Sequence, residues 1–369
     1  MDLWIASLSL FLMASAQTLP NPPRIPETYP SVNQQVMISG DLLLDPAIQE
    51  AIDYVNAVVP AEILQIAPSV YRPDMPNSPV YPDGQAEATC YWPLRQCLRT
   101  EDSESFTADV FQCPRQNDWG LTYDDGPTVH ENYGTTQLLE KLDQVDVKAT
   151  FFVVGSNAVQ FPNILKAIDA AGHELALHTW THHPLTSLTN EQIVAELKFN
   201  EAIVYSATGK VAKYMRPPYG NIDDRVRAIC AALGFEVIMW SDESGDTFQP
   251  VQAAVTIREW FAAERPGFIS LQHDILPSTT RVAIQALDAF AVSSRPTLPQ
   301  PVSQCRGIPE EQWYKAALPV NTDGSIDVSG TNTIPGSNTS GASTSTLGGI
   351  TTTTTSSSLF ILFIYLFLA

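Results

Sequence analysis

Gly120-Leu121-Thr122-Tyr123-Asp124-Asp125-Gly126-Pro127 is a short apolar run that ends in two carboxylates and a turn. Adjacent carboxylates at a strand end repel one another unless a cation or a proton sits beside them. A metal can take one of them while the other stays free as a base. Gly126-Pro127 turns the chain sharply and would hold both side chains outward. A bare Asp-Asp-Gly is also an ordinary surface turn, so its neighbours have to decide between the two readings. They decide by repetition. Thr135 to Leu142 follows as an amphipathic stretch, then Ala149 to Val154 and Phe161 to Ala171, then Leu175 to Leu177 and Asn190 to Thr208. Tyr214-Met215 leads into Asp223 to Leu233, Glu236 to Trp240 into Val251 to Glu264, and Phe268 to Leu271 into Thr280 to Phe290. Strand followed by helix, this many times, predicts a parallel sheet closed or nearly closed into an α/β barrel.

In such barrels the loops after the strands gather at one face, where sites form. The polar chemistry of the chain falls there. Asp124 and Asp125 follow the first strand, His178 and His182 the third, Arg216 the fourth, Asp246 the fifth and His273 the sixth. His178-Thr179-Trp180-Thr181-His182 puts two imidazoles four apart, the spacing that faces one way on a helical turn. With a carboxylate they suit Zn²⁺ and leave a position open for water. A zinc protease would carry Glu directly after the first His. That place holds Thr179, so the base comes from elsewhere, and Asp124 supplies it. His130, His173 and His183 read as structural or solvent-facing. In Arg216-Pro217-Pro218-Tyr219-Gly220 two prolines stiffen the loop, the guanidinium can clamp a carboxylate, and the Tyr219 N–H can receive an oxyanion. In Leu271-Gln272-His273-Asp274 the imidazole reads as a general acid kept charged by Asp246.

Taken together and in order, these motifs resemble those of the polysaccharide deacetylases. These are the NodB-homology carbohydrate esterases, which include GPI-anchored fungal chitin deacetylases. The likeness covers Trp119 to Gly307, and Gly172-His173-Glu174-Leu175 and Val302-Ser303-Gln304-Cys305 support that span. The resemblance implies a distorted (β/α) barrel with an irregular N-terminal extension. It also implies one divalent ion, Zn²⁺ first and Co²⁺ second, on Asp125, His178 and His182. Asp124 would be the base, Arg216 would position it, His273 would be the acid and Asp246 its partner. Tyr219, Leu271 and Trp180 are the substrate-binding candidates. One motif departs. Where the family reads Asp-x-x-Asp-Trp, this chain has Glu243-Ser244-Gly245-Asp246-Thr247. The missing Trp lines the acetyl pocket, so the change bears on substrate fit and leaves metal binding alone. Either another aromatic fills the gap or the pocket is wider.

The implied reaction is metal-assisted hydrolysis of N-acetyl groups on chitin or N-acetylglucosamine oligomers, giving chitosan and acetate in wall remodelling. Two alternatives stand beside it: an esterase for O-acetylated xylan, and a wall-binding protein with impaired catalysis. A formal net charge of −20 argues against a nucleic-acid partner. Met1 to Ala16 reads as a signal peptide, residues 17–117 as a Pro-rich extension with one helix over Pro46 to Val58, and residues 118–307 as the deacetylase domain. Residues 308–328 form a C-terminal segment, 329–358 a Ser/Thr-rich stalk, and 359–369 an apolar tail too short to span a bilayer. Stalk and tail match the pattern for a GPI anchor, with attachment among Asn338 to Ser345 and Asn338 also the glycosylation candidate. The expected product is a secreted monomer on the outer face of the plasma membrane, with transfer to the wall as an option. The five cysteines contain no CxxC. Cys90 with Cys97 would close a short loop, Cys113 with Cys305 would tie the two ends of the core domain, and Cys230 would stay free and buried; other pairings remain open.

Overall fold

A computed structural model describes residue 19 and residues 22–75, 79–81, 84–294 and 297–315. The signal peptide, the stalk with Asn338, the apolar tail and most of the 308–328 segment lie outside the described residues.

The described strands are β1 (Asp118–Gly120), β2 (Thr122–Asp124), β3 (Thr150–Val153), β4 (Glu174–Leu177), β5 (Val211–Ala212), β6 (Tyr214–Met215), β7 (Glu236–Val237), β8 (Asp242–Glu243), β9 (Phe268–Leu271), β10 (Leu298–Gln300) and β11 (Tyr314–Lys315). Two sheets carry the core, ordered β2-β3-β4-β6-β7 and β10-β1-β9-β8, and every pairing within them is parallel. They are arcs of one ring. β1 and β2 are a single path broken at Leu121, and β7 and β8 lie on a single path from Glu236 to Glu243. The ring closes where the Asp124 N–H donates to the Gln272 carbonyl and the Asp274 N–H donates to the Asp124 carbonyl. The Glu236 to Trp240 strand expected from sequence is therefore cut short at Val237, and the path serves both arcs. A separate antiparallel ladder joins β5 to β11.

All residues of β3, β4 and β9 are buried, as strands covered on both faces must be. The helix Asn190–Thr208 shows why the cover is thick. It begins with a Thr189–Gln192 capping box and ends at Gly209 in the left-handed region. Ile193 through Val204 are buried on every side. A helix without an exposed stripe is sandwiched, and the extension helix Pro46–Val58 packs on its outside. Burial on all sides leaves Glu196, Lys198, Asn200 and Glu201 in need of partners. Lys198 and Glu201 pair with each other, and Lys315 of β11 adds a 2.8 Å contact to Glu201. Glu196 and Asn200 hold the site, as described below.

The extension shares the hydrophobic core, contributing Ile38, Ile48, Ile52, Val55 and Trp92. Fully buried Arg227 accounts for part of its attachment. Its guanidinium pairs with Asp109 at 2.8 Å and donates to the carbonyls of Cys90 and Cys97. The disulfides are Cys90–Cys97 and Cys113–Cys305, with Cys230 free and buried.

Candidate active site

The loops after β2, β4, β6, β8 and β9 converge on a cleft of about 520 Å³. Asp124, Asp125, His178, His182, Tyr219, Leu271 and His273 all line it.

Asp124 ends β2 and is buried. Its Oδ1 accepts from Arg216 Nη1 at 2.7 Å. Arg216, itself fully buried, also donates to Thr122 Oγ1 at 2.7 Å and to the carbonyls of Ile238 and Met239. Four of the five guanidinium N–H donors are committed, with the Phe152 ring 4.1 Å below it. Such a group cannot drift, and it orients the carboxylate it touches.

Asp125 occupies the left-handed region at φ 78, as do Thr179 (φ 64), His182 (φ 61) and Tyr219 (φ 60). Each such placement costs about 1–3 kcal/mol, and strain of this kind concentrates where geometry is required for function. What it brings together is a ligand set. Asp125 Oδ1 lies 3.2 Å from His178 Nε2 and 3.0 Å from His182 Nε2, and the three candidate donor atoms lie within 4.8 Å of one another. His178 Nδ1 sits 2.7 Å from the Arg216 carbonyl, which can only accept. That places a proton on Nδ1 and a lone pair on Nε2 of the neutral ring. Buried Asp125 Oδ1 receives no hydrogen bond. Acceptor therefore faces acceptor across the site, a contact that only a proton or a cation relieves. Burial acts to raise the Asp125 carboxyl; protonated imidazoles at His182 and His178 would override it and hold it well below the usual range, and a bound cation would take over that role. Two imidazoles and a carboxylate with an open side fit a divalent ion such as zinc.

The two histidines do not share a helical turn, as their spacing suggested. Residues 178–183 form an irregular loop. Glu196 accepts from the N–H groups of Trp180 (2.7 Å) and Thr181 (2.8 Å), and Asn200 donates to the Thr179 carbonyl at 2.8 Å. Burial pushes Glu196 up to about 7. Tyr219 brings its hydroxyl 3.1 Å from His182 Nδ1.

His273 faces the same cleft from β9. Its Nδ1 is 2.7 Å from Asp246 Oδ1, and its backbone N–H donates to Asp246 Oδ2 at 2.8 Å. Burial alone would discharge the imidazole. The Asp246 carboxylate prevails, and His273 is pushed up to about 10.

Leu271 lines the cleft; Trp180 does not. Trp180 is fully buried, its ring stacked on Tyr29 at 5.4 Å and its Nε1–H donating to the Ser31 carbonyl. An aromatic next to a candidate ligand reads as a substrate contact in sequence, but here the loop turns it inward as an anchor for the extension. His130, His173 and His183 bond to backbone or to Thr181 and stay out of the cleft. Thr247 lines the cleft beside Phe248, Trp240 and Trp92.

Besides Glu196 and Asn200, three residues escaped the sequence reading. Asp274, fully buried, accepts from the Gly126 N–H at 3.0 Å and from Thr135 and so holds the Asp125-Gly126 turn. Burial pushes it up to about 7. A Cβ on Gly126 would fall 2.3 Å from its carboxylate, so only glycine fits. The adjacency of Asp274 to His273 was its one signal. Gln34 and Trp92 enter the cleft from the extension, and nothing local in the sequence marks either.

Residues 111–238 match the family model described as "Polysaccharide deacetylase". "Chitin deacetylase 1" of Cryptococcus neoformans is 35% identical over 219 residues, 54% of this chain and 44% of that protein. A "Chitin deacetylase" of Pestalotiopsis sp is 31% identical over 215 residues, 56% of this chain and 70% of that protein. Among solved structures, the chitin deacetylase of Colletotrichum lindemuthianum superposes with a TM-score of 0.50 at 27% identity, over 56% of this chain and 95% of that one. The chain spans well under half of the length of the first curated relatives it matches, 44%, 36% and 34%.

Proposed function

We propose, from the premise that this chain belongs to the polysaccharide deacetylase family, that it hydrolyses the N-acetyl groups of chitin or chitin oligomers. The products are acetate and glucosamine units. One observation carries the reading. A ligand set, an arginine-clamped carboxylate and a carboxylate-paired imidazole face one cleft.

Asp125, His178 and His182 would hold the ion, Zn²⁺ by preference and Co²⁺ as second choice. When bound, such an ion supplies Lewis acidity to the acetamide carbonyl and to water. Asp124, oriented by Arg216, takes a proton from the water as the water oxygen attacks the carbonyl carbon. The Tyr219 backbone N–H, in the loop beside His182, is the candidate donor to the developing oxyanion. His273 gives its proton to the sugar nitrogen as the C–N bond breaks. Asp246 makes that imidazolium available at neutral pH. The added water proton and hydroxyl are then divided between the amine and acetate, and no redox partner is involved. Leu271 and its apolar neighbours receive the acetyl methyl.

Two disulfides support an oxidising, extracellular setting. No described helix is long and apolar enough to cross a membrane. A GPI-anchored monomer at the cell surface remains the reading of the terminal segments.

The test is acetate release by the full chain on N-acetylglucosamine oligomers and on acetylated xylan, with and without chelator. Chelator-sensitive release from the oligomers is expected. Release from xylan alone would replace the proposal with an ester hydrolase, and none from either would favour a binding protein.

A further inference from the structure

The extension enters the cleft through Gln34, a residue preceding the matched family span of 111–238. The segment around it is pinned on both sides. Tyr29 stacks on Trp180 with an interplanar angle of 4°, and the Ser31 carbonyl accepts from Trp180 Nε1 at 3.0 Å. Further on, the Ile38 carbonyl accepts from Gln192 Nε2 at 3.0 Å.

The amide of Gln34 is also oriented. Its Nε2 donates to Ser156 Oγ at 3.2 Å and to Asn157 Oδ1 at 3.3 Å. Asn157 spends its own amine on the Asp125 carbonyl at 2.8 Å, so its oxygen must be what faces Gln34. That settles which end of the Gln34 amide is which. Both Nε2 hydrogens are used. Among the described residues, nothing donates to Oε1. The result is a partly buried hydrogen-bond acceptor, held in place before any ligand arrives.

Its preferred ligand follows from its surroundings. Asp124, Asp125 and Glu243 line the same cleft and disfavour anions. Phe248 is 74% exposed at the rim and offers an apolar face. An uncharged molecule rich in hydroxyl and amide donors, with an apolar ring face, suits this combination. We propose that Gln34 is a substrate-binding residue supplied by the extension, its Oε1 accepting a hydrogen bond from a hydroxyl or amide N–H of an amino-sugar chain. The polymer's identity rests on the proposed function; the acceptor does not.

The test uses the full chain, wild type and Gln34→Ala, titrated calorimetrically with Zn²⁺ alone and then with the N-acetylglucosamine tetramer. Loss of one such bond predicts a tetramer Kd about fivefold weaker. Zn²⁺ affinity should stay within twofold, and KM should rise far more than kcat falls. An unchanged tetramer Kd, or a loss that tracks Zn²⁺ affinity, overturns the proposal, because the residue then acts only through Asn157 and Asp125. Gln34→Met, which keeps the length and removes the acceptor, repeats the comparison if the alanine variant folds poorly. Wild-type protein that binds the tetramer but releases no acetate sinks the catalytic reading, while the variant comparison still judges Gln34. A wild type that does not bind the tetramer sinks both.

Discussion

His178 and His182 on one side of the cleft and His273 on another are the same residue type in the same solvent, yet their rings are held by different partners. The difference lies in what each Nδ1 meets. His178 Nδ1 meets a backbone carbonyl, which can only accept, and His182 Nδ1 meets the Tyr219 phenol; both contacts orient the ring. His273 Nδ1 meets the Asp246 carboxylate, which stabilises the protonated ring. His178 thereby turns a lone pair towards Asp125, and His273 is held ready to give a proton.

The harshest way to break this comparison is to remove a lone pair. His178→Ala should lose the ion on dialysis and bring acetate release to background, read by metal content and acetate assay. A variant that keeps one equivalent of zinc with normal turnover would undo the ligand assignment. Asp124→Asn comes next. It should keep the ion while turnover falls about 10³-fold, the scale of a lost general base. Ion loss in this variant would mean that Asp124 is a ligand instead.

Asp246→Asn tests the charged side, with about 10²-fold lower kcat expected for an impaired general acid. Its sharper readout is pH. The folded pKa of His273, about 10, lies above its ordinary value of 6.5. The stabilisation from Asp246 is therefore complete below about 6.5 and disappears as pH rises through about 10. Wild-type activity should hold to that upper limit, and the variant's alkaline limb should move down towards 6.5. Profiles that coincide would show that Asp246 does not set the charge. The smallest effect belongs to Tyr219→Phe, which strips the partner from His182 Nδ1. Ion affinity should weaken about tenfold by chelator competition, with the pH profile unmoved.

The strand-and-helix alternation made the barrel legible. Extended runs such as Thr150–Val153 are buried on both faces, and their β-branched and aromatic residues say so locally. The helix Pro46–Val58 was equally plain, because Asp45 caps it and Pro46 starts it. The loop bearing His178 and His182 was misread. Its shape is imposed by Glu196 and Asn200, on a helix that local spacing cannot connect to it. Trp180 was misassigned for the same reason: its inward turn depends on Tyr29, roughly 150 residues earlier in the chain.

By itself, the sequence determined the order of elements and the chemical kinds of side chain that follow each strand. Both are written in local periodicity and residue type. Only the tertiary structure decided which imidazole meets a carbonyl and which a carboxylate, and that residue 34 belongs to the cleft. Those properties come from low-dielectric contacts between segments distant in the chain, and a contact exists only once the chain has closed on itself.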